Sequence, residues 1–212
     1  MTEQFYPNTL PEKTAKLLEK LQSSSQEWLK TFYLSGGTAL SLQLGHRESE
    51  DLDFFSEETF DPQEIEKELS QFGNLEGTEL SKGTMNTFLE GVKLQFLRYP
   101  YPLLKPLIPW RATQLSSVLD IGCTKLQTIG MRGSKKDFID LLFIFDQYSL
   151  PVLLESVREK YVNVSYSQTH ILKSMLYFDE AEDQPMPRMH KDISFEDVKI
   201  KMIEAVKSIS LE

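Results

Sequence analysis

The chain has 212 residues, 40% hydrophobic and 26% charged, the composition of an ordinary globular protein long enough to bury a sizeable core. Its 23 Lys and Arg against 32 Asp and Glu leave a net charge of −9, which excludes binding of nucleic acid by bulk charge: any contact with a polyanion needs a local basic patch. The single Cys123 excludes an internal disulfide and a cysteine-based zinc site, three scattered histidines (His46, His170, His190) argue against a histidine cage, and the absence of a membrane-length apolar run or a leader makes a cytoplasmic, membrane-free protein the expectation.

In chain order, the residues from Pro11 to Trp28 read as an amphipathic helix with Leu17, Leu18 and Leu21 on one stripe. Thr31 to Ser35 reads as a short buried strand ending at Gly36-Gly37, and Thr38 to Leu44 as a short helix closed by Gly45. Asp51 to Phe55 alternates acid and apolar residues as a strand does, and Asp61-Pro62 opens a helix to about Phe72 with Asp as N-cap and Pro at the first helical position. Glu76–Leu80, Thr84–Leu89 and Val92–Arg98, separated by Gly83 and Gly91, form a meander, and Pro100, Pro102, Pro106 and Pro109 make a stiff loop expected to end the sheet. The rest reads as helical over Ser117–Ile129, Ser134–Gln147, Leu150–Tyr161, Gln168–Phe178 and Phe195–Ile209. Strands followed by helices predict an α+β fold: a core over residues 1–110, a small mixed sheet backed by helices, with a helical part over 111–212 packed on it. The acidic stretch Asp179 to Asp183 reads as a solvated helix end and turn.

Gly36-Gly37-Thr38-Ala39-Leu40 stands at a strand-to-helix turn, where glycines let backbone approach a ligand and helix-start amides point at an anion such as a triphosphate. Alone, this is as well explained by steric need. Asp51 and Asp53, at i and i+2 of a strand, project to one face, and two like charges side by side invite a divalent cation between them. The bland alternative is an exposed Asp paired with Arg47.

Taken together, Gly36-Gly37-Thr38-Ala39-Leu40 and His46-Arg47-x-Ser49-x-Asp51-Leu52-Asp53-Phe54-Phe55 resemble the first motif of the AbiEii/AbiGii toxin family, within the polymerase-β-like nucleotidyltransferase superfamily. Lys125, followed by Arg132-Gly133-Ser134-Lys135-Lys136-Asp137-Phe138-Ile139-Asp140-Leu141, extends the resemblance over roughly residues 30 to 180. It implies a polymerase-β-like core, Mg²⁺ (or Mn²⁺) held by Asp51 and Asp53, and nucleotide near Gly36, Gly37, Thr38 and Arg47. It also implies transfer from an NTP to an acceptor such as tRNA, and a cognate antitoxin partner in a toxin–antitoxin or phage-abortive-infection system. Arg47 is equally well read as an ion pair orienting one of the acids, and His46 as a packing residue.

On the helix over 117–129, Val118, Ile121, Gly122, Leu126 and Ile129 form an apolar stripe, Asp120, Thr124 and Gln127 lie opposite, and Lys125 falls within the stripe. A lysine there either snorkels to water or needs an anionic partner, a carboxylate or a phosphate. The next helix is apolar on nearly every side and carries Asp137 and Asp140 three apart, which suggests a Lys125–Asp137 pair or a shared site, with Asp140 orienting Lys125, Arg132 or a backbone donor. The resemblance implies catalytic roles for Lys125 and Asp137. Arg132, Lys135 and Lys136, with Lys125, form the basic cluster beside these motifs, suited to a triphosphate or an RNA backbone, or simply a solvated helix start.

Polymerase-β-like transferases normally carry a third carboxylate on a later strand. Here that strand is Val92-Lys93-Leu94-Gln95-Phe96-Leu97, where Gln95 takes the place and cannot act as a base or charged ligand. Two readings follow: a Mg²⁺-dependent nucleotidyltransferase in which Asp137 or Asp140 supplies the missing acid, or a catalytically weakened nucleotide-binding or protein-interaction module that keeps the fold. Transfer to a small molecule or a protein is a third, mildly favoured over RNA by the net acidity.

Overall fold

The structure is a computed structural model and describes residues 4–23, 27–164 and 166–209. It divides into two compact units, Met1–Ser117 and Val118–Glu212.

The first unit is built on a seven-stranded mixed sheet in the order β3-β4-β5-β2-β1-β7-β6. Helix α1 (Glu12–Ser23) buries Leu17, Leu18 and Leu21, as its stripe predicts; residues 24–26 of the expected longer helix lie outside the described residues, and Glu27–Thr31 is a 3₁₀ turn. Strand β1 (Tyr33–Ser35) runs directly into α2 (Gly36–Leu44), which takes both glycines into its first turn and closes at Gly45, φ 63°. Strand β2 (Leu52–Ser56) is followed by α3 (Pro62–Ser70), where the Asp61 side chain accepts from the Gln63 N–H at 2.9 Å as an N-cap should.

The meander consists of β3 (Leu75–Ser81), β4 (Thr84–Leu89) and β5 (Val92–Arg98), and β2 lies parallel beside β5. Along β4 and β5 the pleat sorts the side chains: Met85, Thr87, Leu89, Val92, Leu94 and Phe96 are buried. Their alternates, including Asn86, Lys93 and Gln95, are half-buried or exposed on the opposite face. Phe54 stacks on Phe96 at 5.0 Å and Phe32 meets it edge-on at 5.1 Å, in the core of this unit.

The proline-rich loop does not end the sheet, contrary to the sequence reading. Ile108–Trp110 (β6) and Thr113–Leu115 (β7) form a hairpin, and β7 pairs in parallel with β1. Pro109 costs this hairpin little because β6 is the edge strand, where a missing N–H need not break a ladder bond. The first unit therefore extends to Ser117, past the boundary expected near Trp110.

The second unit is helical: α4 (Val118–Ile129), α5 (Lys135–Ile144), α6 (Leu150–Lys160), α7 (Gln168–Ser174), α8 (Asp179–Glu182) and α9 (Phe195–Ile209). Helix α5 is buried around most of its circumference, and Phe138 lies against Phe178 (5.1 Å) and Phe195 (6.3 Å). The acidic segment around α8 is not merely solvated. Glu180 accepts from the Gly133 N–H and Gln184 from the Lys135 N–H, satisfying donors at the start of α5 that Ser134 leaves uncapped. No described helix is long and apolar enough to cross a membrane.

Candidate active site

Pairing register places a row of polar residues across one face of the sheet. Ser35 on β1 is opposite Asp53 on β2, Asp53 is opposite Gln95 on β5, Gln95 is opposite Asn86 on β4, and Asn86 is opposite Glu79 on β3. Residues in register point to the same side of a sheet, so these five side chains share the face away from the Phe54–Phe96 core. Two contacts brace the row. Gln95 Nε2 donates to Asn86 Oδ1 at 2.9 Å, and the Ser116 hydroxyl donates to the Ser35 hydroxyl at 2.8 Å.

Gly36 begins α2 beside Asp53. Its φ of +64° is a left-handed conformation that favours glycine, and a Cβ there would run into the Asp53 carboxylate. The missing side chain is what lets an acid stand against the first turn of a helix. Gly37 is similarly constrained from the other side, since a Cβ would come within 2.6 Å of an Arg47 guanidinium nitrogen. Arg47 is buried at 2% exposure and donates to the Glu48 carbonyl at 2.8 Å. It therefore underlies the Gly-Gly turn, in line with an orienting role. Thr38 is also buried, and its hydroxyl donates to the Asp51 carbonyl, so what it can offer a phosphate is its backbone N–H.

Asp51 itself lies one residue ahead of β2 and is exposed, whereas Asp53 is within the strand and half-buried. The loop that delivers them is tied from several directions. The Thr14 hydroxyl donates to the Glu50 carbonyl at 2.8 Å, the Ser49 N–H to the Thr9 carbonyl at 3.0 Å, and Tyr6 covers Gly45 so closely that a Cβ there would sit 2.6 Å from its ring. His46 is fully buried.

The donor set is all oxygen: two carboxylates and the Gln95 carbonyl, of the kind that hard divalent cations take. Among the described residues, no group of three or more His, Cys, Asp or Glu is placed to hold a metal ion. The reason is visible in the register: an amide stands beside Asp53 where a third acid would complete such a group. Asn86, which holds that amide, is the contributor that sequence reasoning missed. It was legible, because the tight Glu90-Gly91 turn pairs Leu89 with Val92, and counting back from it reaches Asn86 opposite Gln95.

In the helical unit, Lys125 Nζ lies 2.7 Å from Asp137 Oδ1 and 2.6 Å from Asp140 Oδ2, all three side chains being nearly inaccessible. Asp137 Oδ2 is buried without a hydrogen-bond partner, with Arg132 Nε 3.9 Å away. Two acids thus share one buried lysine, with the exposed Arg132 as a second cation beside Asp137, and burying ionisable groups in this way is costly.

The basic cluster suggested by the sequence is taken apart by the fold. Lys125 is held by its carboxylates, and Lys135 is buried with Nζ donating to the Glu182 carbonyl (3.1 Å) and standing 4.6 Å over the Phe195 ring. Arg132 and Lys136 are the members left exposed. Asp120, expected on a polar face, is instead buried and paired with Lys160 of α6 at 2.7 Å. Helix α4 packs against α5, α6 and α7, and α6 covers the Asp120 end of its polar side, while Thr124 and Gln127 stay half-exposed. Cys123 lies beside the Asp120–Lys160 pair, and burial pushes its thiol up to about 12.

Known proteins resemble this chain in sequence and in fold. The uncharacterized protein aq_aa25 of Aquifex aeolicus (strain VF5) is 38% identical over 161 residues, covering 72% of this chain and 76% of that protein. The family model described as nucleotidyl transferase AbiEii toxin, type IV toxin–antitoxin system, matches residues 19–103, the stretch that carries Gly36, Gly37, Asp51, Asp53 and Gln95. The chain belongs to the AbiEii nucleotidyltransferase toxin family. The fold agrees. A candidate nucleotidyltransferase from H. pylori superimposes with a TM-score of 0.57 at 16% identity, over 94% of this chain and 95% of that one. The nucleotidyltransferase toxin MenT4 of Mycobacterium tuberculosis H37Rv gives 0.52 at 16% identity, over 92% and 84%. The AbiEii sheet is thus an α+β nucleotidyltransferase core, with the polar row on the face away from the Phe54–Phe96 core.

Proposed function

We propose that this AbiEii-family protein is a toxin that transfers a nucleotide from an NTP, with Mg²⁺ or Mn²⁺ held by Asp51 and Asp53, to an RNA acceptor of the tRNA type, under the control of a cognate antitoxin. The observation that carries the reading is the placement of Asp53 against the side-chain-free first turn of α2 at Gly36. An acid and a set of helix-start amides at one spot serve a ligand that brings both a cation and a polyphosphate.

In this reading the N–H groups of Gly36, Gly37 and Thr38 receive phosphate oxygens, and Arg47 keeps the turn in shape from beneath. Asp51 and Asp53 would hold the cation, which when bound neutralises phosphate charge and fixes the triphosphate. Asp53 is within a braced strand and Asp51 at its tied entrance, so both are set before ligand arrives. Lys125 and Asp137 are assigned to the reaction on the family's motif alone, with Asp137 as the proposed base for the acceptor hydroxyl.

The second reading is a nucleotide-binding module that does not transfer, and Gln95 favours it, since no acid stands beside Asp53 on β5. Calorimetry with each NTP tests what both readings share. Binding is expected with Mg²⁺ or Mn²⁺, not with EDTA, and not in Asp53→Asn. Equal binding with and without a divalent cation would overturn the proposed site.

A further inference from the structure

We infer that Gln95 is itself an oxygen ligand of the cation site, locked into that role by Asn86, so that the site takes one divalent cation on two carboxylates and a neutral amide. The inference rests on the proposal that Asp51 and Asp53 hold a cation.

Three observations support it. Gln95 stands in parallel register with Asp53, so the two side chains rise side by side from one face of the sheet. On its other side Gln95 is opposite Asn86, and its Nε2 donates to Asn86 Oδ1 at 2.9 Å. Both residues are half-buried, where an amide contact is sheltered from competing water.

The hydrogen bond decides what Gln95 can offer. A primary amide presents NH₂ on one arm and a carbonyl on the other. Were the NH₂ turned to Asp53, it would occupy carboxylate lone pairs that a cation requires. With the NH₂ given to Asn86, the arm left for the rest of the row is Oε1, and amide carbonyls are ordinary ligands of hard cations. Asn86 thus acts on the cation through Gln95, as a partner behind the ligand commonly does.

The charge of the set then limits its occupancy. Two carboxylates balance one divalent cation; a third would be needed to favour a second. Gln95 therefore converts a site of the two-cation type into a single-cation site.

The experiment is Mn²⁺ alone titrated into the full chain, followed by electron paramagnetic resonance of the free ion, which reads affinity and stoichiometry without any turnover. Wild type is expected to bind one Mn²⁺. Gln95→Leu and Asn86→Leu should each weaken it by about tenfold. Gln95→Glu, which keeps the shape and supplies a charged oxygen, should bind more tightly and add a second equivalent. Unchanged affinity in Gln95→Leu, or weaker binding in Gln95→Glu, overturns the inference, the latter because it would show that the NH₂ is what matters. Asp53→Asn separates the two levels. If it keeps wild-type affinity, the underlying cation site is wrong; if it abolishes binding while Gln95→Leu does not, only the role of Gln95 is wrong.

Discussion

Asp53 and Gln95 stand side by side in register on the parallel strands β2 and β5, an acid next to an amide that Asn86 holds by its NH₂. The local consequence is two acids, Asp51 and Asp53, at the head of a strand that pairs on both sides. If the pair is there to bind a cation, as proposed, it contributes little to folding.

Asp53→Asn is accordingly expected to leave the melting temperature unchanged or to raise it slightly, by relieving repulsion from Asp51. Circular dichroism melts in EDTA check this. A loss comparable to a core truncation, about 2–5 kcal/mol, would show that Asp53 is there for folding.

Gly36→Ala should behave differently. The left-handed φ and the Asp53 carboxylate both oppose a Cβ, so the variant is expected to lose about 1–3 kcal/mol and to displace Asp53. Urea unfolding gives the first quantity, and loss of Mn²⁺ affinity the second. A variant as stable as wild type with intact Mn²⁺ binding would mean that the turn is more pliable than its geometry implies.

Two of the buried lysines, Lys125 and Lys160, separate function from structure. Lys160→Met removes the cation paired with buried Asp120, and Lys125→Met the one shared by Asp137 and Asp140, and each should cost about 3–5 kcal/mol in chemical denaturation. Replacing the first pair outright, Asp120→Leu with Lys160→Met, should recover most of the loss and keep nucleotide transfer. An apolar replacement of Lys125, Asp137 and Asp140 together should recover stability but not transfer. If it did restore transfer, the Lys125 cluster would be structural as well.

Cys123 makes a pH-dependent prediction. Its thiol is raised by burial from an ordinary value of 9.0 to about 12. A raised value means that the folded chain holds the proton more tightly than the unfolded one, so this contribution is complete below about pH 9 and is lost as pH rises toward 12. Stability should fall over that window by about 1 kcal/mol per pH unit more in wild type than in Cys123→Ala. Parallel pH profiles for the two proteins would refute it.

Most of the first unit was legible because its signals are local. The Asp61-Pro62 cap, the Gly45 stop and the alternation along β4 and β5 each act over a few residues, and the front motif sits where the strand-to-helix turn requires glycine. What was not legible depended on partners distant in sequence. β7 joins the sheet through β1, some eighty residues earlier in the chain (Leu34 with Leu115), and nothing in the short, proline-flanked segment announces it. Asp120 looked like a polar-face residue until α6 brought Lys160 to it, and Lys135 looked like a surface cation until Phe195 and the Glu182 carbonyl enclosed it. The Lys125–Asp137 contact could be anticipated because the two residues lie on successive helices.

The central claim, that the chain transfers nucleotides, is tested most directly by incubating it with each α-³²P-labelled NTP, Mg²⁺ and total cellular RNA, then resolving the products by denaturing electrophoresis. The account predicts label on RNA from at least one NTP. Asp53→Asn should abolish it together with NTP binding, and Asp137→Asn should abolish it while leaving NTP binding intact. Label-free RNA with every NTP, from a folded protein that still binds NTP and Mg²⁺, would contradict the transferase and leave the nucleotide-binding module in its place.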